Sequence, residues 1–339
     1  MSRTVPEQPA TAPAAQGQLD LALPPSGAAA LREPTPGQAA AVSAGSAQPL
    51  AWLLLTVTAL CWGGNAIFAR LAVGEVSPMA LVGLRWLFVL LLVGVIARRG
   101  LVADWPRLRP HLGRIALMGA LGFTVFNAIF YVAAHHTTAV NLGILQAVMP
   151  VFIFVLAYLR FATRVTALQV LGVIAAIAGV TLVAAHGEWQ RLVALEFNIG
   201  DLMMLGACVL YAGYTVALRD RPAVAPLSFF AVLAAAAFVT SIPFAAWEWL
   251  AGGLQLPTPT GWTIIVAVAL FPSLLGQILF MRGVEIIGPG RAGLFMNLVP
   301  VIAAGLAVLF LDEPFMWFHA AALALVFGGI WMSEREGRE

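Results

Sequence analysis

Apolar runs of about twenty residues, separated by short polar breaks, follow one another from Leu50 to residue 333. A helical run of about twenty residues matches the hydrocarbon thickness of a bilayer. The pattern therefore predicts ten membrane-spanning helices, which we number span 1 to span 10. Their predicted limits are 50–69, 79–97, 113–134, 138–159, 166–186, 200–219, 227–247, 261–282, 289–311 and 317–333.

The second half of the chain repeats the first at an offset of 150 residues. The segment 139–150, AVNLGILQAVMP, returns at 290–300 as GRAGLFMNLVP, which places Pro150 opposite Pro300. A fixed offset marks an internal duplication. Because each copy holds five spans, the second copy enters the membrane from the opposite face, as in secondary transporters with inverted repeats. The predicted domains are, in chain order, a cytoplasmic tail (1–49), the first repeat (50–186), an outer linker (187–197), the second repeat (198–333) and a cytoplasmic C-terminus (334–339).

Composition supports a polytopic membrane protein and excludes a soluble globular domain. Hydrophobic residues make up 61% of the chain and charged residues 10%, whereas soluble domains carry about a quarter charged residues. Residues 1–49 contain eight prolines among Ala, Gln, Ser and Gly, which predicts a disordered tail. We expect no cleaved signal peptide, because the first apolar core begins only at Leu50.

Arginine distribution predicts the orientation in the membrane. With the N-terminus inside, fifteen arginines fall on the cytoplasmic side, whereas only Arg70 and Arg191 fall outside. Cytoplasmic loops are enriched in Lys and Arg, so both termini are predicted to be cytoplasmic. The chain has no lysine, and its arginines give no indication of nucleic-acid binding. Cys61 and Cys208 lie in apolar runs and are interpreted as buried small residues.

Arg85 is the one charged side chain well inside an apolar run, and its counterpart in the second repeat is Leu233. An arginine at the centre of a spanning helix costs about 2.5–3.5 kcal/mol on insertion scales, so it needs a reason to be there. Two interpretations stay open: a cation that binds a substrate carboxylate, or a structural arginine bonded to helix-end carbonyls.

Uncharged polar and aromatic residues form stripes on four spans, as expected for helices that line a cavity. Asn127 and Gln277 occupy equivalent positions of the two repeats. Each polar group in hydrocarbon needs a partner, so interhelical hydrogen bonds are the alternative to substrate contact. The candidate substrate-binding residues are Trp62, Asn65, Arg85, Asn127, Tyr131, Gln146, Tyr211, Tyr214, Gln277 and Asn297.

A membrane-embedded enzyme is the rival class, but the sequence offers no recognisable catalytic spacing. It contains no HExxH, no GxSxG and no Walker loop with its lysine. We therefore expect neither an enzyme nor a cofactor or metal.

The motifs resemble one known family. Span 1 carries CWGGNAIFAR, span 4 carries HHTTAVNLGILQAVMP, and span 9 carries GPGRAGLFMNLVPVIAAGLAVLFLDEPF. Over residues 50–333 the chain is similar to EamA-type members of the drug/metabolite transporter superfamily. The resemblance implies an all-α polytopic membrane protein, a ten-helix basket of two inverted five-helix repeats with a central cavity. The family's acidic residue after span 4 is absent, since Ala162–Thr163 stands opposite Asp312–Glu313.

This resemblance implies alternating-access export of small metabolites, with amino acids or their analogues expected first, across a bacterial inner membrane. The expected partners are a small-molecule substrate and the lipid bilayer, with association into a homodimer left open. A sugar-phosphate or nucleotide-sugar exchanger is the alternative, disfavoured because a phosphate dianion calls for several cations. Because every Asp and Glu falls in the tail, a loop or a helix end, we expect no single carboxylate to be an obligatory proton carrier.

Overall fold

The computed structural model describes residues 36–161, 167–188, 190, 198–287 and 295–335. The chain divides into units 1–42 and 43–339, and the first is described only over the helical residues 36–42. Every regular element in the described ranges is helical. The predicted all-α architecture is confirmed.

The helices occur where the apolar runs predict them. Among the described residues, seven helices are long and apolar enough to cross a membrane, and three shorter apolar helices lie where spans 5, 9 and 10 are predicted. In order, the spans are Pro36–Leu71, Pro78–Ile96, Leu112–Ala133, Ala139–Phe161, Ala167–Ala184, Ile199–Ala217, Pro226–Leu250, Pro259–Ile287, Leu298–Leu311 and Trp317–Arg335. The predicted start of span 9, at 289–294, lies outside the described residues.

The helix of span 1 begins at Pro36, although its apolar, membrane-spanning part begins at Gln48, close to the predicted start at residue 50. Residues 36–49, which we assigned to the disordered tail, are therefore helical. Proline is tolerated at the first position of a helix, where its missing N–H has no intrahelical partner to lose. The alanines and glutamines that follow have favourable helix propensity. The low hydrophobicity of residues 36–49 had suggested a disordered tail, but a segment can form a helix without being hydrophobic.

A further helix, Arg98–Leu108, lies between spans 2 and 3, where the sequence suggested only a cytoplasmic loop. Its Asp104 and Leu108 are buried, while Val102 and Trp105 are exposed. The turn Arg109–His111 joins it to span 3 without a break. This amphipathic helix was overlooked because its apolar residues are few and interrupted by arginines.

Spans 3 and 8 each contain a π-helical segment, at Ala120–Val125 and Ala269–Leu275. The two segments occupy matching positions of the two repeats. A π-helical turn inserts a residue into an α-helix, leaves backbone carbonyls without their usual partners, and occurs often at functional sites. These paired π-bulges position the site described below.

Small residues allow the repeats to approach closely. A Cβ atom at Gly143 of span 4 would collide with the Cβ atom of Ala303 on span 9. At Gly63 of span 1 a Cβ atom would lie 2.9 Å from the side chain of Ile302 on span 9. Backbone contact at small residues is the usual way in which membrane helices pack.

Candidate functional site

Arg85 lies at the centre of a buried polar network that joins both repeats. It is 5% exposed, and its Nε donates to Ser273 Oγ at 2.6 Å. Its NH1 donates to Asn127 Oδ1 at 2.7 Å and to the Tyr131 hydroxyl at 2.6 Å. Tyr131 in turn donates to Asn65 Oδ1 at 3.1 Å. We call these five residues the Arg85 network.

The two π-bulges hold the acceptors of this network in place. Asn127 donates its amide to the Phe123 carbonyl at 2.5 Å, which leaves Oδ1 free to accept from the guanidinium. Ser273 donates its hydroxyl hydrogen to the Val268 carbonyl at 2.6 Å, five residues back. Each side chain therefore satisfies a carbonyl of a bulged helix and presents its oxygen to Arg85. Both acceptor positions result from the local backbone of spans 3 and 8.

Among the described residues, the guanidinium of Arg85 has only neutral acceptors. The oxygens of Ser273, Asn127 and Tyr131 are an alcohol, an amide and a phenol. Within the described ranges NH2 makes no hydrogen bond. A buried charge is costly unless it is paired, so an anion at NH2 would remove a penalty. One interpretation of the sequence was a structural arginine bonded to helix-end carbonyls. The contacts of Arg85 are instead with three side-chain oxygens.

Trp62 is attached to the same bulge. Its indole Nε1 donates to the Pro272 carbonyl at 2.9 Å, one residue before Ser273. Its ring lies 5.2 Å from that of Phe280. Four candidates chosen from the sequence, Asn65, Arg85, Asn127 and Tyr131, are therefore in direct contact, and Trp62 joins them through span 8.

Tyr211 and Tyr214 belong to an aromatic cluster beside the network. Their rings lie 5.4 Å apart, and Tyr214 lies 5.1 Å from Phe123 in the π-bulge of span 3. Phe123 stacks on Trp86 at 4.7 Å, with the Arg85 guanidinium 5.4 Å from the Trp86 ring. The buried indole Nε1 of Trp86 has no hydrogen-bond partner in the described part of the chain. The cluster thus reaches the guanidinium through Trp86.

Three candidates do not contact the network. Gln146 is half-buried and donates to the Leu142 carbonyl of its own helix at 3.0 Å. Gln277 and Asn297 are half-buried and make no side-chain hydrogen bond among the described residues. Gln277 matches Asn127 in the repeat, but Leu233 stands where the second repeat would need an arginine. The guanidinium uses Ser273 on span 8 instead.

A second polar cluster was missed by sequence analysis. Asp201, in the first turn of span 6, is 0% exposed and accepts from Thr137 Oγ1 at 2.5 Å. Asn141 of span 4 donates to both of its oxygens, at 3.2 and 3.1 Å. His319 of span 10 contacts Asn141 Oδ1 at 3.1 Å, and His186 Nε2 lies 3.9 Å from the carboxylate. Although Asp201 lies at a helix end, Thr137, Asn141 and His186 from three other segments cover its carboxylate.

Glu313, in the loop after span 9, caps the N-terminus of span 4. Its two carboxylate oxygens accept from the backbone N–H groups of Ala139 and Val140, both at 2.9 Å. Arg70 Nε lies 3.9 Å from the same carboxylate. The free N–H groups and the dipole of a helix N-terminus favour a carboxylate there. Glu313 therefore joins the second repeat to the first at the face predicted to be outer.

Ten helical spans in two inverted repeats, with an internal polar network that joins them, define a polytopic membrane transport protein. The model of the EamA-like transporter family matches residues 49–185 and 198–334. The chain belongs to this family.

Relatives with similar sequences are named as transporters. The chain is 24% identical over 288 residues to the uncharacterized transporter YetK of Bacillus subtilis, which covers 84% of this chain and 86% of the relative. It is 26% identical over 211 residues to a probable terminal-alkyne amino-acid exporter of Streptantibioticus cattleyicolor, covering 61% and 68%. A solved crystal structure matches with a TM-score of 0.58 at 20% identity, over 86% of this chain and 99% of that chain. The structural match supports the fold alone.

Proposed function

We propose that this protein exports small amphipathic metabolites, amino acids or their analogues first among them, across a bacterial inner membrane. The observation that carries the proposal is the buried Arg85 guanidinium, whose NH2 is unused within the described ranges while its other nitrogens bind both repeats. A substrate carboxylate fits this group, because arginine recognises carboxylates through paired N–H donors.

Substrate binding at Arg85 would bear on both repeats at once. The guanidinium bonds Asn127 and Tyr131 of the first repeat and Ser273 of the second. A carboxylate that draws the guanidinium toward itself changes the bond to Ser273 and so the contact between the repeats. The other proposed substrate-contacting residues are Trp62, Asn65, Gln146, Tyr211, Tyr214, Gln277 and Asn297.

Burial along span 4 supports alternating access. Residues 139–145 are buried throughout, whereas 152–157 are half-buried and 158–160 exposed. In the orientation with both termini cytoplasmic, the outer half of span 4 is closed against the second repeat. We call this contact of residues 139–145 with the second repeat the outer seal.

The amino-acid assignment also draws on the relative named as a probable amino-acid exporter. An exchanger of phosphate dianions is disfavoured, because Arg85 is the one arginine well inside an apolar run. Association into a homodimer remains a separate prediction.

Transport in proteoliposomes tests the proposal. A panel of amino acids, amino-acid analogues and drugs is screened first by resistance of overexpressing cells, and the positive compounds are then measured as flux. The substitution Arg85→Gln should abolish flux of carboxylate-bearing substrates. Arg282→Gln, at an exposed arginine paired with Glu285, is the matched control and should retain it. Absence of both resistance and flux across a broad panel would refute the exporter.

A further inference from the structure

We propose that Asp201 and His186 form a proton-binding pair that takes up one proton when the outer seal closes. The inference rests on the proposed alternating access and concerns its regulation. It differs from the expectation that no single carboxylate is an obligatory proton carrier, because Asp201, although it lies at a helix end, is fully buried.

Among the described residues, the carboxylate of Asp201 has neutral hydrogen-bond donors and no arginine partner. Thr137 and Asn141 supply its hydrogen bonds, and both side chains are neutral. In the described part of the chain, His186 is the basic group within 4.0 Å, with Nε2 at 3.9 Å from Oδ2. His186 is about one third exposed, so it lies between Asp201 and the surface.

Hydrogen bonding fixes the orientation of Asn141 and leaves His319 neutral. The backbone N–H of Met316 donates to His319 Nδ1 at 3.1 Å, so Nδ1 is an acceptor. His319 Nε2 then carries the hydrogen and donates to Asn141 Oδ1 at 3.1 Å. The amide nitrogen of Asn141 must therefore point at Asp201. With its roles fixed on both nitrogens, His319 has no place for the additional proton.

Burial requires the pair to be neutral as a whole. An isolated ionised carboxylate in a low-dielectric interior costs several kcal/mol, which a proton or a protonated partner removes. A proton on Asp201 Oδ2 or on His186 Nε2 gives the same net charge of zero. The sealed state therefore holds one proton on the pair, whichever atom carries it.

Opening exposes the pair to water and changes its proton count. In water an imidazole loses its proton at about pH 6.5 and a carboxyl at about pH 3.9. Above about pH 6.5 an exposed pair holds no proton, so the sealed state binds one more than the open state. The sealed fraction must then fall as the pH rises above about 6.5, by up to about tenfold per pH unit. Below that value the open pair already carries a proton, and the dependence disappears.

Other titratable or charged groups also face this region. His136 precedes Thr137 on the turn that packs on span 6, and His319 approaches through Asn141. Glu313 binds the backbone N–H groups at the N-terminus of span 4, and Arg70 lies 3.9 Å from its carboxylate. Each of these groups lies outside the Asp201 and His186 pair, so its substitution should leave the pH dependence in place.

The equilibrium between the sealed and open states can be measured by the rate at which a maleimide labels a cysteine placed in the outer seal. Val140 is 1% exposed, so a cysteine there reacts with a maleimide only when the seal opens. The native Cys61 and Cys208 are replaced by alanine, and the protein is studied in nanodiscs between pH 6.5 and 8.5. Rates are divided by those of a cysteine at Leu256, which is 76% exposed, to remove the intrinsic pH dependence of the thiol.

The normalised rate at residue 140 should rise up to about tenfold per pH unit above pH 6.5. Asp201→Asn should remove this dependence and keep the seal closed, since a neutral amide needs no proton. His186→Gln should open the seal already at pH 6.5, because the exposed carboxyl is ionised at that pH and, once buried, has no histidine with which to share a proton. Glu285→Gln and His136→Gln are the matched controls and should behave as the parent.

A pH-independent rate in the parent, or an unchanged pH dependence in Asp201→Asn and His186→Gln, would overturn the proton pair. If Asp201→Asn fails to fold, the labelling rate of His186→Gln at pH 6.5 decides whether the proton pair exists. Flux in proteoliposomes is measured separately, so that absence of transport with pH-dependent labelling intact contradicts the proposed function and leaves the proton pair standing.

Discussion

Ser273 of the second repeat accepts the Nε hydrogen of Arg85 from the first repeat at 2.6 Å. The same hydroxyl donates its hydrogen to the Val268 carbonyl at 2.6 Å. A single oxygen atom thus satisfies a carbonyl of the bulged helix and the buried cation of the opposite repeat.

Ser273→Ala should destabilise the folded protein in detergent by about 1–3 kcal/mol, because it leaves a buried donor and a buried acceptor unsatisfied. The melting temperature, followed by intrinsic fluorescence, measures the change. Thr263→Ala removes an exposed hydroxyl of the same span and should have little effect. A stability equal to that of the parent would mean that water replaces the serine.

Arg85→Lys should abolish transport while membrane levels stay normal. An ammonium group lacks the planar fork that reaches Ser273 on one side and Asn127 and Tyr131 on the other. Flux in proteoliposomes should fall by more than about tenfold, equivalent to about 1.4 kcal/mol or more in the barrier. Arg282→Lys, at an exposed ion pair, should transport normally. Normal flux in Arg85→Lys would show that point charge alone suffices.

Gly143→Ala should force spans 4 and 9 apart, because the added Cβ atom collides with that of Ala303. We expect a lower melting temperature and faster labelling of a cysteine at Val140. Gly305→Ala on span 9 is the matched control, since nothing lies within 4 Å of its Cβ position. There the alanine should be neutral or slightly stabilising through helix propensity. Equal behaviour of the two variants would disprove the close approach.

Glu313→Gln should weaken the outer seal at every pH. The amide offers one oxygen acceptor where the carboxylate accepts from both Ala139 and Val140, and it loses the negative charge at the helix N-terminus. Labelling of a cysteine at Val140 should rise several-fold, whereas Glu285→Gln should leave it unchanged. A Glu313→Gln variant that stays as protected as the parent would exclude the cap from the seal.

His135 should make the fold sensitive to acid. Burial, followed by the neighbouring His136 and Arg70, lowers the pKa of His135, while Glu248 opposes this shift. Because its pKa is lowered in the folded state, His135 takes up a proton more readily when the protein is unfolded. The contribution of neutral His135 to stability is therefore complete above about pH 6.5 and is lost as the pH falls below this value. His135→Gln should therefore lose less melting temperature than the parent between pH 7 and 5. His111→Gln, at an exposed histidine, should follow the parent; an identical loss in both variants would contradict the assignment.

The positions of the spans could be predicted because each requires a continuous apolar run of fixed length. Arg85 was recognisable for the same reason, as a charge inside such a run. Its partners were only partly predictable. Asn127 and Tyr131 share a stripe on span 3, but the choice of Ser273 over Gln277 depends on how span 8 bulges and packs.

Asp201 and Glu313 escaped prediction because both lie where a sequence indicates a helix end or a loop. Burial there depends on which other chain segments cover the end, and that is a tertiary property. Asp201 is covered by Thr137, Asn141 and His186 from other segments. Asn141, inside the apolar start of span 4, was the available signal, since an amide in that setting needs a polar partner.

Because spans 3 and 8 each contain a π-bulge, the exact number of residues in these helices determines which side chains face Arg85. Each extra residue turns everything beyond it by about 100° around the helix axis. Removal of one residue from Ala120–Val125 would restore a regular helix and rotate either the segment that carries Asn127 and Tyr131 or the segment before it. Both repeats carry such a segment, so shortening either one by a single codon would disconnect the guanidinium while leaving every side chain of the network in the sequence.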